Sequence, residues 1–525
     1  MTQTTKVTFG TSKLSLALSG LAATTLAGCG SGGGGGSSGS TAPAATSSAA
    51  SPDTTSATAP AAPSITTSAP GTPAVGGPAP VVSSSSGFPA AADNDPSWYT
   101  TPTVAGLGAR TITVTPGSSP TLQDALDGAR PGDVIELASG LHVPTTYNTL
   151  LMTSSGNGSS WIAIRPAAGA QPVVDLQNTG EFRISGSYIL VEGLEIKNGK
   201  GNNVHVCPTA SSVSHVVVRN CRVHHLASEA GAAVKINSDN SVGGSCSYVY
   251  VEGCDLTDAI ENSTLDCVGV SRCVARHNDV HDNQYGMHGL FYKGGSSDIL
   301  IEENLVRGIR ANAAFQLGGN TEKPYFTPAH PDQEGVNFVI RNNVIADCDD
   351  SVFEVRGIDG ARTYNSTIIT QTSYVIFRFQ YGSSSSGSSS IGANFGSSSS
   401  NHGIDIANNL VIATGGSPRY MANDANEGAW TFGPQLWAGS FTNETSNGGT
   451  SLPRDGDVVA AASAEGGVVA SPSYSGLAGL DDARARFQLH VGSPALGAGA
   501  ANTVAPRDML DQPRHATSPS IGAFE

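Results

Sequence analysis

The sequence predicts an all-β solenoid, a chain wound into stacked coils. Three observations carry this. A short phrase recurs along the middle of the chain. Its sixth residue is repeatedly asparagine. Charge is scarce and glycine abundant, with 13% charged residues and 64 Gly among 525 residues.

The phrase occurs as Ile189-Leu-Val-Glu-Gly-Leu-Glu-Ile196, Val216-Val-Val-Arg-Asn-Cys-Arg-Val223, Val249-Tyr-Val-Glu-Gly-Cys-Asp-Leu256 and Cys273-Val-Ala-Arg-His-Asn-Asp-Val280. It continues as Ile299-Leu-Ile-Glu-Glu-Asn-Leu-Val306, Phe338-Val-Ile-Arg-Asn-Asn-Val-Ile345 and Ile404-Asp-Ile-Ala-Asn-Asn-Leu-Val411. Successive copies start 27, 33, 24, 26 and 39 residues apart, and the last follows a longer gap. Alternating apolar residues, a polar kink and a further apolar residue describe a strand, a bend and the start of the next strand. Variable insertions on a period in the twenties mark a solenoid. No single coil can bury its apolar face alone, so the coils stack.

The sixth position holds Leu194, Cys221, Cys254, Asn278, Asn304, Asn343 and Asn409. An inward amide at each bend can bond to the coils above and below, which satisfies its buried polar atoms. This resembles the asparagine ladder of right-handed parallel β-helix proteins. The resemblance implies a single-stranded right-handed parallel β-helix.

The ends follow from local pattern. Leu122, Ala125, Leu126 and Ala129 recur at helical spacing, and Arg130-Pro-Gly-Asp133 turns into an apolar strand. This is similar to the N-terminal helical cap of parallel β-helix enzymes. Residues 161–166 and 173–176 are expected to form the first full coil. Gly492-Ser-Pro-Ala-Leu496 and Ile521-Gly-Ala-Phe-Glu525 resemble the closing segment of bacterial β-helix proteins. The β-helix is expected over residues 93–470, with C-terminal coils and a closing segment over 471–525.

Residues 1–29 read as an address rather than as fold. Lys6 and Lys13 form a basic region, and Leu14 to Leu26 is apolar but too short to span a bilayer. The stretch ends in Leu26-Ala-Gly-Cys29, which resembles a lipoprotein cleavage and acylation signal. The resemblance implies lipidation at Cys29, membrane attachment through that lipid, and location in the bacterial cell envelope. Residues 30–92, rich in Gly, Ser, Thr and Pro with Asp53 as their one charge, read as a disordered linker.

Net charge is −16, and removal of Lys6 and Lys13 leaves 25 basic against 43 acidic residues. That balance argues against nucleic acid as a partner and fits cation binding or solubility. A monomer is expected. Besides Cys29 there are Cys207, Cys221, Cys246, Cys254, Cys267, Cys273 and Cys348, with no metal spacing. Cys221 and Cys254 share the ladder position, where either a disulfide or plain packing is compatible with coil spacing.

Each phrase is followed by a second strand, as in 233–236, 267–270, 289–293, 314–317, 352–356 and 375–379. Alternation puts Lys235, Lys293, Gln316, Glu354, Arg356 and Arg378 on one outward face, expected to be exposed. Long insertions over 318–336, 381–401 and about 415–451 bring Tyr325, Phe326, Trp430 and Trp437 beside it. Such loops form groove walls, and aromatic rings suit sugar faces.

The densest polar cluster is Asp282-Asn-Gln-Tyr285-Gly-Met-His288-Gly-Leu-Phe-Tyr292-Lys293-Gly-Gly295, followed by Arg310 and Phe315-Gln316-Leu-Gly-Gly319. Paired glycines let backbone approach a ligand closely. A base beside cations suits β-elimination on a uronic-acid polysaccharide. The expected catalytic set is Lys293 as base, with Arg310 and His288. Tyr292, Gln316, Arg356, Arg378 and Tyr325 are the expected substrate-binding residues.

The chain resembles the β-helix family of pectate lyases and chondroitinase-B/alginate lyases. That family implies an acidic polysaccharide substrate and Ca²⁺ as cofactor. Gln316 stands where one pectate lyase type has its lysine, and Leu317-Gly-Gly319 where the chondroitinase-B type has Arg-His-Gly. Two alternatives remain. One is a polygalacturonase-like hydrolase using carboxylates of Asp347-Cys-Asp349-Asp350. The other is a non-catalytic glycan-binding or scaffold β-helix.

Overall fold

The computed structural model describes residues 95–525 except 146–148, 227–230, 260–261, 284–286, 311, 320, 322–324, 328, 331–332, 381–399, 424–429, 444–451, 461–464 and 502–503. The expected signal segment with Cys29, the linker, Tyr285 and most of the 381–401 insertion lie outside the described residues.

The first half of each phrase forms a strand of sheet A. The residues after the bend join sheet B, and the second strands form sheet C. Sheets A and B have 12 strands each and sheet C has 10. Neighbouring strands are parallel, and register runs straight from coil to coil: Val216 pairs with Ile189 on one side and Val249 on the other. Parallel strands joined by crossovers in one sheet take the right-handed turn. The chain is a single-stranded right-handed parallel β-helix.

Period-two alternation explains the core. Val216 and Val218, Val249 and Val251, and Ile299 and Ile301 all point inward and are buried. Each such side chain contributes roughly 1.5–3 kcal/mol through burial. On the inner face of sheet C, Phe315, Phe353 and Phe377 stack with ring centres 5.1 and 5.4 Å apart.

The ladder sits at the bend between sheets A and B. The Asn278 amide donates to Asn304 Oδ1 at 2.9 Å, and the Asn304 amide to Asn343 Oδ1 at 3.0 Å. Backbone N–H groups of Cys254, Asn278 and Asn304 donate to the amide oxygen one coil further on, each at 3.0 Å. Two coils outside the recurring phrase extend the ladder without asparagine. Ser366 Oγ accepts from the Asn343 N–H at 3.3 Å, and Gln435 Oε1 from the Asn409 N–H at 2.9 Å. Both are short or long substitutes that still reach the neighbouring coil.

Cys221 and Cys254 continue the ladder as thiols. They are not bonded; Cys221 Sγ donates to the Val191 carbonyl and Cys254 Sγ to that of Val218. All seven described cysteines are buried.

The helix Leu122–Asp127 caps the N-terminal end. Thr121 Oγ1 accepts from the Asp124 N–H while Asp124 accepts from the Thr121 N–H, and Leu122, Ala125 and Leu126 enter the core. The first coil with strands in all three sheets is Asp133–Leu137, Gly140–His142 and Leu150–Met152, one coil earlier than expected.

Both ends lie across the coils. Residues 95–105 run along the outer face of sheet A: Arg341 bonds Asp95, Arg276 bonds the Tyr99 hydroxyl, Tyr250 bonds the Thr100 carbonyl, and the Trp161 N–H bonds the Ala105 carbonyl. Beyond residue 470, where coils were expected, no described residue joins the three sheets. Helix Leu480–Arg486 and the terminal Ile521, Ala523 and Phe524 pack on the outer face of sheet B, against Leu305, Val344 and Ile369. Among the described residues no helix is long and apolar enough to cross a membrane.

Candidate functional site

The outer face of sheet C carries one in-register column: Arg183, His205, Lys235, Asp266, Phe291, Gln316, Glu354 and Arg378. Straight register places one member per coil, about 4.8 Å apart. Lys293 lies on the same face two residues from Phe291, opposite Val268 of the preceding coil.

This face was expected to be exposed, and the structure corrects that. Lys235, Lys293, Gln316 and Glu354 are 8, 9, 4 and 2% exposed. Two causes account for it. The charges are matched by neighbours, which lowers the cost of removing them from water. The insertion after Leu317 also folds back over the corner between sheets C and A. There Glu334 accepts from the Gly294 N–H at 2.8 Å, the Thr321 N–H at 2.9 Å and the Thr321 hydroxyl at 2.7 Å.

The paired glycines serve this fold-back. A Cβ on Gly294 would lie 3.2 Å from the Tyr325 carbonyl, and one on Gly319 would lie 2.8 Å from the Phe291 ring. The space left by each glycine is filled by the protein itself, not kept for a ligand.

The charge matching runs the length of the column. Glu181 faces Arg183 and His205, and His205 Nε2 lies 2.6 Å from Asn237 Oδ1. Burial pushes Glu181 up, but His205 and Arg183 outweigh it and hold the carboxyl at about 2. Lys235 donates to Asp266 Oδ2. Burial also pushes Asp266 up, yet Lys235 and Lys293 together hold it below its usual range. Asp266 Oδ1 has no hydrogen-bond partner among the described residues. Glu354 faces Arg356 and, at 3.7 Å, Arg378, which also binds Asp350 at 2.7 Å.

Lys293 stands at the centre. Its ammonium lies 4.3 Å from the centre of the Phe291 ring. Its charge acts on Asp266, His288 and Glu334. Burial pushes the Glu334 carboxyl up to about 7, against the pull of its three donors. His288 is tilted against Phe291 at 4.7 Å, and its Nδ1 meets Ser263 Oγ at 3.0 Å. Burial and the charges of Lys293 and Arg356 push His288 down to about 3, so the imidazole is neutral.

The expected residues therefore separate. Lys293, His288 and Gln316 come together, with Arg356 and Arg378 further along the same face. Tyr325 lies in the fold-back, its carbonyl against Gly294. Tyr292 is corrected: alternation turns it inward, where it is 1% exposed and packs edge-on against Phe338. Arg310 is corrected as well. It sits at the corner between sheets B and C, tied to Asp347 and Asp349. Those carboxylates satisfy its charge and raise its pKa.

Sequence reasoning passed over Phe291, Asp266 and Glu334. Asp266 and Phe291 were within reach of period-two alternation once Lys235 was placed outward. Glu334 had no local signal, because its partners are 13 and 40 residues away.

Ca²⁺ takes about six to eight oxygens. The carboxylates on this face, Glu181, Asp266 and Glu354, each contact a cationic side chain, so they do not assemble such a cage. Among the described residues, a group able to hold a metal ion is His224, His225 and Asp258, away from the column at the corner between sheets B and C. A cavity of about 870 Å³ lies at the bend between sheets A and B, walled by Glu252, His277, Asp279 and Asp481. None of the column residues lines it.

No protein-family profile matches the chain, and no curated protein matches it. Among solved structures it is similar to a pectate lyase, at 17% identity over 80% of this chain and 97% of that chain, with a TM-score of 0.48. It is also similar to a rhamnogalacturonan lyase, at 13% identity over 61% and 89% with a TM-score of 0.41. An alginate lyase from Paenibacillus sp. str. FPU-7 matches at 18% identity over 51% and 96%, with a TM-score of 0.34. These values do not carry an activity from those proteins to this one.

Proposed function

We propose that this chain binds an acidic polysaccharide along the outer face of sheet C and cleaves it by β-elimination, with Lys293 as the base. The observation that supports this best is the in-register column from Arg183 to Arg378, with Lys293 beside it. A straight row with one polar or aromatic group per coil suits a linear polymer with regularly spaced substituents. Arg356 and Arg378 suit its carboxylates, because a guanidinium fork matches a carboxylate.

In this reading Lys293 takes the proton next to the uronate carboxyl. The electron pair of that C–H bond forms a carbon–carbon double bond, and the glycosidic C–O bond breaks. The same proton returns to the leaving oxygen. Lys293 acts from its neutral form, its resting proton having gone to solvent. Neutral His288 and Gln316 supply hydrogen bonds without adding charge. The protein is tethered through a lipid on Cys29 in the cell envelope, with the polymer outside the membrane.

The test is to offer the full chain pectate, alginate and chondroitin and to follow ultraviolet absorbance of the unsaturated product. Absorbance that rises and is lost in Lys293→Ala, with the circular dichroism spectrum unchanged, supports the reading. New reducing ends without that absorbance would transfer the case to a hydrolase. Binding without cleavage would leave a glycan-binding β-helix.

A further inference from the structure

We propose that His224, His225 and Asp258 bind one divalent transition-metal ion, clamping two successive coils at the corner between sheets B and C. His224 ends the strand Arg222–His224, and His225 follows it. Simple alternation would throw the two rings to opposite faces. His225 instead adopts a left-handed backbone, φ 52°, which swings its ring beside that of its neighbour. Nδ1 of His224 then faces Nδ1 of His225. Asp258 has the same corner conformation one coil on, φ 60°, and its Oδ2 lies 3.4 Å from His225 Nδ1. The three donor atoms lie within 4.8 Å of one another.

A second layer orients the first. His224 Nε2 lies 3.2 Å from Glu195 Oε1. A carboxylate there holds the proton on Nε2 and leaves Nδ1 as an electron-pair donor, the arrangement common behind metal-bound histidines. Two coils on from His224, His281 shows the contrast. Its Nε2 meets Asp255 at 2.7 Å and its Nδ1 meets Asp282 at 2.8 Å, so both nitrogens are already engaged by oxygen acceptors. His224, by contrast, turns its Nδ1 toward the imidazole of His225.

Two imidazole nitrogens and one carboxylate oxygen suit Zn²⁺, Co²⁺, Ni²⁺ or Cu²⁺ rather than Ca²⁺. Three protein ligands leave a coordination position open. That position faces water, since the His225 and Asp258 side chains are 65 and 41% exposed while that of His224 is 5%. The ion would join the coil of His224 to that of Asp258 without a disulfide.

The test uses the full chain, stripped with chelator, and titrates Zn²⁺ and Ca²⁺ separately by calorimetry. One Zn²⁺ per chain is expected, with a rise in melting temperature and no comparable Ca²⁺ uptake. Co²⁺ is expected to give a visible absorption band whose intensity reports four-coordination. His225→Ala and Asp258→Asn change exposed side chains, so they leave the fold intact, and each is expected to weaken Zn²⁺ at least about 10-fold. Glu195→Gln, a positioning change, is expected to cost about 10- to 100-fold. Absence of Zn²⁺ uptake, uptake unchanged in His225→Ala, or equal uptake of Ca²⁺ would each overturn the proposal.

Discussion

The Lys293 ammonium lies 4.3 Å from the centre of the Phe291 ring, two residues back on the same outward face. The ring in turn fills the gap left by Gly319 and leans on His288. One aromatic side chain thus sets the place of the proposed base. A cation over a ring face gains about 0.5–2 kcal/mol, depending on desolvation. Phe291→Leu is expected to lower kcat/KM on the cleaved polymer by about 2- to 30-fold, the equivalent of that energy. Steady-state kinetics, with circular dichroism as a folding control, measures it. A change smaller than twofold would remove the ring from the mechanism.

Tyr292 is the internal comparison for Lys293. Its hydroxyl lies in the core near Cys267, and burial raises its pKa well above the usual range. Tyr292→Phe keeps the packed volume and is expected to change stability by less than about 1.5 kcal/mol. Activity should be unaltered. A large loss of activity in this variant would mean that the hydroxyl reaches substrate.

The Lys235–Asp266 pair predicts an asymmetry in denaturant unfolding. Asp266→Ala strands a buried ammonium and is expected to cost about 3–5 kcal/mol. Lys235→Met combined with Asp266→Leu replaces both charges with apolar volume and should recover most of the loss. Urea titration of the single and double variants decides this. A double variant as unstable as the single would show that the pair contributes more than mutual neutralisation. The lowered Asp266 pKa places its contribution above the usual carboxylate range, to be lost as pH falls through the lowered value.

Glu334 gives the opposite slope. Its folded pKa, about 7, lies above the model-peptide value of 4.5. The folded state therefore binds the proton more tightly than the unfolded chain. That contribution is complete below pH 4.5 and is lost as pH rises through about 7, a change of roughly 3 kcal/mol. Thermal melts from pH 5 to 8 should show the decline, and Glu334→Ala should flatten it. The same variant orphans the Gly294 and Thr321 donors, so it should also melt lower at every pH.

Asn304 donates to Asn343 Oδ1 and to the Ala275 carbonyl, and accepts from the backbone and side chain of Asn278. Asn304→Ala removes a fully buried link and is expected to cost about 2–4 kcal/mol. Urea unfolding monitored by tryptophan fluorescence tests this. A cost under 1 kcal/mol would mean that neighbouring coils close over the gap.

The winding was legible because it is written in short-range pattern. Alternation around Ile299 and Ile301 and the bend at Asn304 lie within eight residues. The coil of Ser366 was passed over because its inward positions hold Ala361 and Thr363, which are weakly apolar, and serine is not asparagine. The outward direction of Lys293 was legible too, since burying an unmatched ammonium would be costly. What covers it was not. The fold-back to Glu334, the pairing of Lys235 with Asp266 and the diversion of Arg310 to Asp347 depend on residues 31 to 40 positions apart. No local pattern records such distances.

The segment of residues 95–105 touches Trp161, Tyr250, Arg276 and Arg341, which belong to coils far apart along the axis. A stack joined only between neighbours can fray from either end, one layer at a time. A thread that spans many layers ties their fates together: the coil of Arg341 cannot leave without loosening that of Trp161. The chain is therefore expected to come apart in one sharp step, and trimming a few residues at its folded beginning should blunt that step far more than their own small burial would suggest.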